Sequence, residues 1–164
     1  MNTETEVRVL FVCLGNICRS PTAHGVFENL VASRGFGREI AVDSCGTGDW
    51  HVGHPPDRRA AAEALKRGYE IGHLRARQVE PADFARFHYI LAMDRTNLAD
   101  LQAMCPPEFS GQLDLFLSYA PDVGLEEVPD PYYGSDDGFS RVLNLVEEAS
   151  EGLLEEIRSA HSLR

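Results

Sequence analysis

Short apolar runs alternate along this chain with stretches whose apolar residues recur every three or four positions. Val7 to Val12, around the run Val9-Leu10-Phe11-Val12, has the pattern of a buried strand. Pro21 to about Ser33 reads as a helix, with Ala23, Val26, Phe27, Leu30 and Val31 on one face and Gly35 and Gly37 ending it. Ser20 then fits the N-cap and Pro21 the first helical position. Glu39 to Ser44 predicts a second strand, and Asp57 to Arg67 a helix with Ala61, Ala64 and Leu65 inward and Gly68 as its stop. Pro81-Ala82-Asp83 starts a short helical turn. His88 to Met93 predicts a third strand, Thr96 to Met104 a helix that stops before Pro106-Pro107, and Leu113 to Leu117 a fourth strand. From Ser118 to Gly138 no period is visible, and a loop of that length in a compact domain is usually functional or mobile. Phe139, Val142, Leu143, Val146, Ala149, Leu153 and Ile157 then mark a long amphipathic helix.

This alternation predicts an α/β architecture with one parallel sheet covered by helices on both faces. Such sheets bind ligands at the carboxyl ends of their strands, where the strand order switches. Cys13 sits at one such end. The 164 residues suit one domain over residues 1–164, with residues 1–6 as a flexible tail. A formal net charge of -11 argues against nonspecific binding to nucleic acid or to an anionic membrane surface. It leaves a local anion site open, since distant charges are screened over about 8 Å. No run approaches the ~20 apolar residues of a membrane span, and the polar start MNTETEVR does not resemble a signal peptide. A cytoplasmic location is the expected default. The four cysteines, Cys13, Cys18, Cys45 and Cys105, are too scattered for a disulfide scaffold. No second close pair completes a zinc set with Cys13 and Cys18; no metal and no cofactor are expected.

Between the first strand and the first helix lies Cys13-Leu14-Gly15-Asn16-Ile17-Cys18-Arg19. A loop in this position can turn successive backbone N–H groups toward an anion, and the helix dipole adds to the attraction. Gly15 allows close backbone approach, and Asn16 tolerates the left-handed conformation. Arg19 offers a planar fork matched to two phosphoryl oxygens. A thiol over such a nest is expected to ionise more readily than a free one, and Ser20 is close enough to donate to its sulfur. Alone, a cysteine at a strand end is most often a small buried hydrophobe. It is the combination with Gly15, Asn16, Arg19 and a helix start that points to a nucleophile.

Val-Cys-x5-Arg-Ser-Pro with Gly-Asn inside resembles the phosphate-binding loop of the low-molecular-weight protein tyrosine phosphatases. The likeness continues at Ser44, at Gly46-Thr47-Gly48-Asp49-Trp50-His51, at Pro56-Asp57, at Asp94-Arg95 and at Asp130-Pro131-Tyr132-Tyr133-Gly134. Cys45 departs from the alanine often found there, a small-for-small change. The resemblance implies a four-stranded parallel sheet in the order 2-1-3-4. It implies Cys13 as nucleophile, Arg19 as phosphate clamp and Asp130 as general acid, then base. Leu14, Gly15, Asn16, Ile17 and Cys18 would line the phosphate site, with Trp50, Tyr132 and Tyr133 walling a slot for an aromatic ring. Ser20, Ser44, His73 and Asn16 would brace the loop. A reversible Cys13–Cys18 disulfide under oxidation is also implied; a buried packing role for Cys18 is the alternative.

The function implied is hydrolysis of phosphotyrosine in protein substrates by a monomeric enzyme, with a cognate tyrosine kinase as counterpart. Three other readings remain. An arsenate reductase on this fold would need a further close cysteine pair, which the region before Pro106 lacks. A phosphoarginine phosphatase would carry Thr at the position of Ile17. A non-catalytic oxyanion-binding module would be expected to lose Cys13, Arg19 or Asp130, and all three are present.

Overall fold

The computed structural model describes residues 6–132, 134 and 137–163. Tyr133 and most of the expected tail therefore lie outside the described residues. Strands β1 (Val7–Cys13), β2 (Ile40–Gly46), β3 (Tyr89–Ala92) and β4 (Gln112–Leu115) pair in parallel in the order β2-β1-β3-β4, the topology expected above. Helices α1 (Arg19–Ser33), α2 (Arg58–Lys66), α3 (Asp83–Arg86), α4 (Arg95–Met104) and α5 (Asp137–His161) connect and cover them. Two 3-10 turns, Phe116–Tyr119 and Pro121–Val123, follow β4. Among the described residues no helix is long and apolar enough to cross a membrane.

The period of two along β1 sorts its side chains between two core layers. Val9, Phe11 and Cys13 pack with Phe27, Val146 and Leu153 of α1 and α5. Leu10 and Val12 face the other way, toward Phe84 of α3 and Leu101 of α4. Phe11 meets Phe27 and Phe116 edge-on, at centroid distances of 5.8 and 4.9 Å. Each such pair adds about 0.5–1.5 kcal/mol beyond its buried area. β1 is thereby a fixed central strand, and the chain leaves it toward β2 before returning to β3 on its other side. The carboxyl end of β1 is thus the switch point of the sheet.

Several details differ from the expectations. α1 begins at Arg19, and Cys18, not Ser20, is its N-cap residue, with no side-chain cap bond. The Ser20 hydroxyl is drawn instead into the buried bonds described below. β2 runs on to Gly46 because its last two residues pair with Val12 and Cys13. β4 stops at Leu115, and the apolar Phe116 and Leu117 are buried by a 3-10 turn rather than by a strand. In α2 the inward residues are Ala60 and Ala64; Leu65 is 59% exposed. Ala60 meets Cys18 and Phe139 in a small cluster, a close approach that suits a methyl group better than a leucine side chain.

Candidate active site

The segment from Cys13 to Arg19 is held as a cradle by bonds to its carbonyls from outside. Thr47 N–H donates to Cys13 O and Gly48 N–H to Leu14 O, both at 2.9 Å. Asp57 N–H donates to Ile17 O at 2.8 Å, and the Thr22 hydroxyl to Cys18 O at 2.7 Å. In a trans peptide the N–H points opposite to the preceding carbonyl. Fixing these carbonyls outward therefore turns the amides of Leu14, Gly15, Cys18 and Arg19 into the hollow of the loop, at the N-terminus of α1. Asn16 makes the turn with φ 58°. Its side chain accepts from the backbone N–H of Arg77 at 3.0 Å and donates to Ser20 Oγ at 2.8 Å. Gly46 lies so close that a Cβ there would be 2.7 Å from Leu14 O and 3.1 Å from Asn16 N.

At the floor, Cys13 Sγ lies 3.0 Å from Ser20 Oγ and accepts from Asn16 N–H at 3.2 Å. At Cys18, burial, with Asp57, Cys13 and Asp130 nearby, pushes the thiol far above the ordinary range. Cys13 and Cys18 are both free thiols.

Arg19 is 3% exposed. Its Nη1 donates to Asp94 Oδ2 at 2.7 Å and to Val128 O at 3.1 Å, while Nη2 lies 3.7 Å from Asp130 Oδ2. Burial works against the guanidinium charge, but the Cys13 sulfur, Asp94 and Asp130 outweigh it and raise its pKa. Anchored at one nitrogen, the cation keeps a second edge toward the hollow. Asp130 accepts the Tyr132 amide at 3.0 Å.

One cavity of about 130 Å³ is lined by Cys13, Leu14, Gly15, Ile17, Cys18, Arg19, Trp50, His51, Asp130 and Tyr132. It gathers most of the residues singled out in the sequence, with Asn16, Ser20 and Ser44 buried behind it. Trp50 stands at the rim, 66% exposed. His73 is the exception. It is exposed, and the imidazole that meets Ser44 is that of His24, with Nδ1 at 2.9 Å from Ser44 Oγ. The reason is registry: His24 projects from α1 toward β2, whereas His73 lies on a surface turn. Three further residues carry the site unheralded, namely His51, Asp94 and the carbonyl of Val128. His51 and Asp94 sit inside the sequence stretches quoted above, which was their available signal. Among the described residues, no group of three or more His, Cys, Asp or Glu is placed to hold a metal ion.

The family model for low molecular weight phosphotyrosine protein phosphatase matches residues 8–163. A low molecular weight protein-tyrosine-phosphatase of Streptomyces coelicolor is 44% identical over 92% of this chain and 93% of its own. Among solved structures, a protein tyrosine phosphatase from Entamoeba histolytica superposes with a TM-score of 0.91 at 35% identity, covering 94% of this chain and 99% of that one. A Drosophila arginine phosphatase superposes with a TM-score of 0.85 at 33% identity, covering 90% and 96%.

Proposed function

The chain belongs to the low molecular weight phosphotyrosine protein phosphatase family, and from that premise we propose that it hydrolyses phosphotyrosine in proteins through a phosphocysteine on Cys13. The cradle amides and the free edge of Arg19 bind the phosphoryl oxygens. Cys13 Sγ attacks phosphorus in line with the phenolic oxygen; the S–P bond forms as the P–O bond breaks. Asp130, in its protonated form, gives its proton to the departing phenolate. The resulting carboxylate then takes a proton from water as that water attacks the phosphocysteine, releasing orthophosphate and the Cys13 thiolate. Two transfers through one nucleophile and one acid–base group replace a single difficult hydrolysis. Charge on the equatorial oxygens meets donors already fixed in place.

The observation that carries this reading is the convergence of Cys13, Arg19 and Asp130, from two distant parts of the chain, on one cavity. Ile17, an apolar β-branched wall of that cavity, favours an aromatic ring over a guanidino group as the leaving side. Peptides bearing phosphotyrosine or phosphoarginine, assayed with chelator present, test the choice; preferential release of phosphate from phosphoarginine would falsify the tyrosine assignment. Asp130→Asn is expected to lower kcat on phenyl phosphate by about 10²- to 10³-fold. Circular dichroism checks that the fold is intact, and kcat within about threefold of wild type would remove Asp130 from the acid role.

A second expected result concerns the frame. Gly46→Ala puts a methyl group against the Leu14 carbonyl and the Asn16 amide, both backbone. The cradle must shift by several tenths of an ångström. A misplacement of about 1 Å in a positioned site can cost about 10²-fold, so for this smaller shift kcat/KM on an aryl phosphate should fall by about tenfold. The inhibition constant for orthophosphate should rise in parallel, because the same amides bind it. Unchanged kinetics would mean that the cradle tolerates the shift and that its geometry is not limiting.

A further inference from the structure

We propose that Arg59 is a positioning residue that pins the Asp130–Tyr132 segment to the start of α2, and thereby fixes where Asp130 meets the leaving group. That role rests on the phosphatase reading above.

The segment that brings Asp130 to the cavity is well tied on its upstream side. Val128 N–H donates to Met93 O at 2.8 Å, and Val128 O accepts from Arg19 Nη1. The Arg95 amide donates to Glu127 at 2.8 Å, and the Arg95 guanidinium pairs with Glu126. Past Val128 the ties change in kind. Asp130 Oδ1 accepts the Tyr132 amide, so the position of the carboxylate follows the Tyr132 backbone. The Tyr132 carbonyl in turn accepts from Arg59 Nη2 at 3.1 Å. The Arg59 guanidinium lies 5.4 Å from the Tyr132 ring centroid and 4.8 Å from that of Phe139. Both distances are within cation–π range.

Arg59 is itself held by the cradle side of the cavity. Its Nε donates to Asp57 Oδ1 at 3.2 Å and its Nη2 to Asp57 Oδ2 at 3.1 Å. Asp57 caps α2 by accepting the Arg59 amide at 2.8 Å, and its own N–H donates to Ile17 O. A continuous set of contacts therefore runs from Ile17 in the cradle through Asp57, Arg59 and Tyr132 to Asp130. It joins the nucleophile's loop to the acid's loop. The fork is needed for this: one planar cation serves a carboxylate and a carbonyl while lying within reach of two aromatic rings, which an ammonium does not do.

A group that only stabilises the fold would lower all activities alike. A group that aims the acid would matter most where the acid matters most. Arg59→Ala, Arg59→Lys and wild type are compared on phenyl phosphate, whose phenolate needs a proton to leave, and on 2,4-dinitrophenyl phosphate, whose phenolate does not. The expected result for Arg59→Ala is a loss in kcat/KM, which reports the transfer to Cys13 and not the later hydrolysis common to both esters, of about tenfold on the first ester and less than about threefold on the second, with Arg59→Lys between. Hydrogen–deuterium exchange of the ligand-free proteins gives a readout independent of catalysis. Exchange over the Asp130–Tyr132 segment should quicken in Arg59→Ala, with β1 and β3 protected as in wild type. Equal losses on both esters, no loss on either, or unchanged exchange in that segment overturns the proposal. If wild type cleaves neither ester, the phosphatase reading fails; the exchange measurement then still decides whether Arg59 pins the segment.

Discussion

Cys13→Ser is expected to abolish turnover of aryl phosphates, by about 10⁴-fold or more, while leaving the fold and the affinity for oxyanions close to wild type. The side chains differ by one atom, and the cavity around them does not depend on which atom is there. The carbonyls of the cradle are tied from outside, Asn16 is held by Arg77 and Ser20, and Arg19 is anchored on Asp94 and Val128. A serine hydroxyl at position 13 would still face Ser20 and the Asn16 amide. It would lack the reactivity, because an alcohol is a weak nucleophile without an adjacent base, whereas a thiolate needs none. The acid–base group we propose, Asp130, lies near the second edge of Arg19; in the proposed reaction it serves the leaving group and does not take a proton from residue 13 as a serine protease histidine would. Rapid quenching of the wild type with phenyl phosphate should give an intact mass heavier by one phosphoryl group, and the variant none. Orthophosphate should raise the melting temperature of both by similar amounts. A variant keeping more than about a hundredth of wild-type kcat would sink the covalent route.

The parts of this structure legible in the sequence are those fixed by contacts close along the chain. β1, the cradle and α1 form one strand–loop–helix unit, and its apolar run, its Gly-Asn turn and its helix periodicity all lie within Val7–Ser33. The sheet order follows from the alternation together with the family likeness. What escaped reading depends on partners distant in sequence. Ser20 looks like a cap by local chemistry, but Cys13, Asn16 and Cys45 offer its hydroxyl buried partners that a cap position would forgo. In α2 the pairs Ala60/Ala64 and Ala61/Leu65 are both helical stripes, about 100° apart. Only the position of Phe139, from α5, decides that the first is inward. His24 and His73 are equally histidines in polar surroundings until β2 is laid beside α1. Arg59 carries no motif, because its meaning lies in Tyr132 and Phe139, far along the chain.

Arg19→Lys keeps the charge and removes the fork, and for that reason its expected effect is nearly as large as that of losing the nucleophile. In the proposed reaction Arg19 has two tasks that pull on different edges of one plane. Nη1 is committed to Asp94 and the Val128 carbonyl, and the edge that includes Nη2 faces the hollow. A lysine ammonium is a single point donor. Seated on Asp94 it would withdraw from the phosphoryl group; reaching the phosphoryl group it would leave a partly buried carboxylate and a buried carbonyl without their donor. Removal of one preorganised donor to a developing oxyanion typically costs about 10²–10³ in kcat, and here two donors with fixed spacing go together. Turnover of phosphotyrosine should fall by at least about a thousandfold. The loss should appear in kcat more than in KM, because the equatorial oxygens meet both donors best as the P–O bond stretches. The inhibition constant for vanadate, whose geometry approaches that state, should rise more steeply than that for orthophosphate. A lysine variant within roughly tenfold of wild-type kcat, or one that weakens the two anions equally, would mean that charge alone is needed at this position and that the anchored plane of Arg19 has no special part in catalysis.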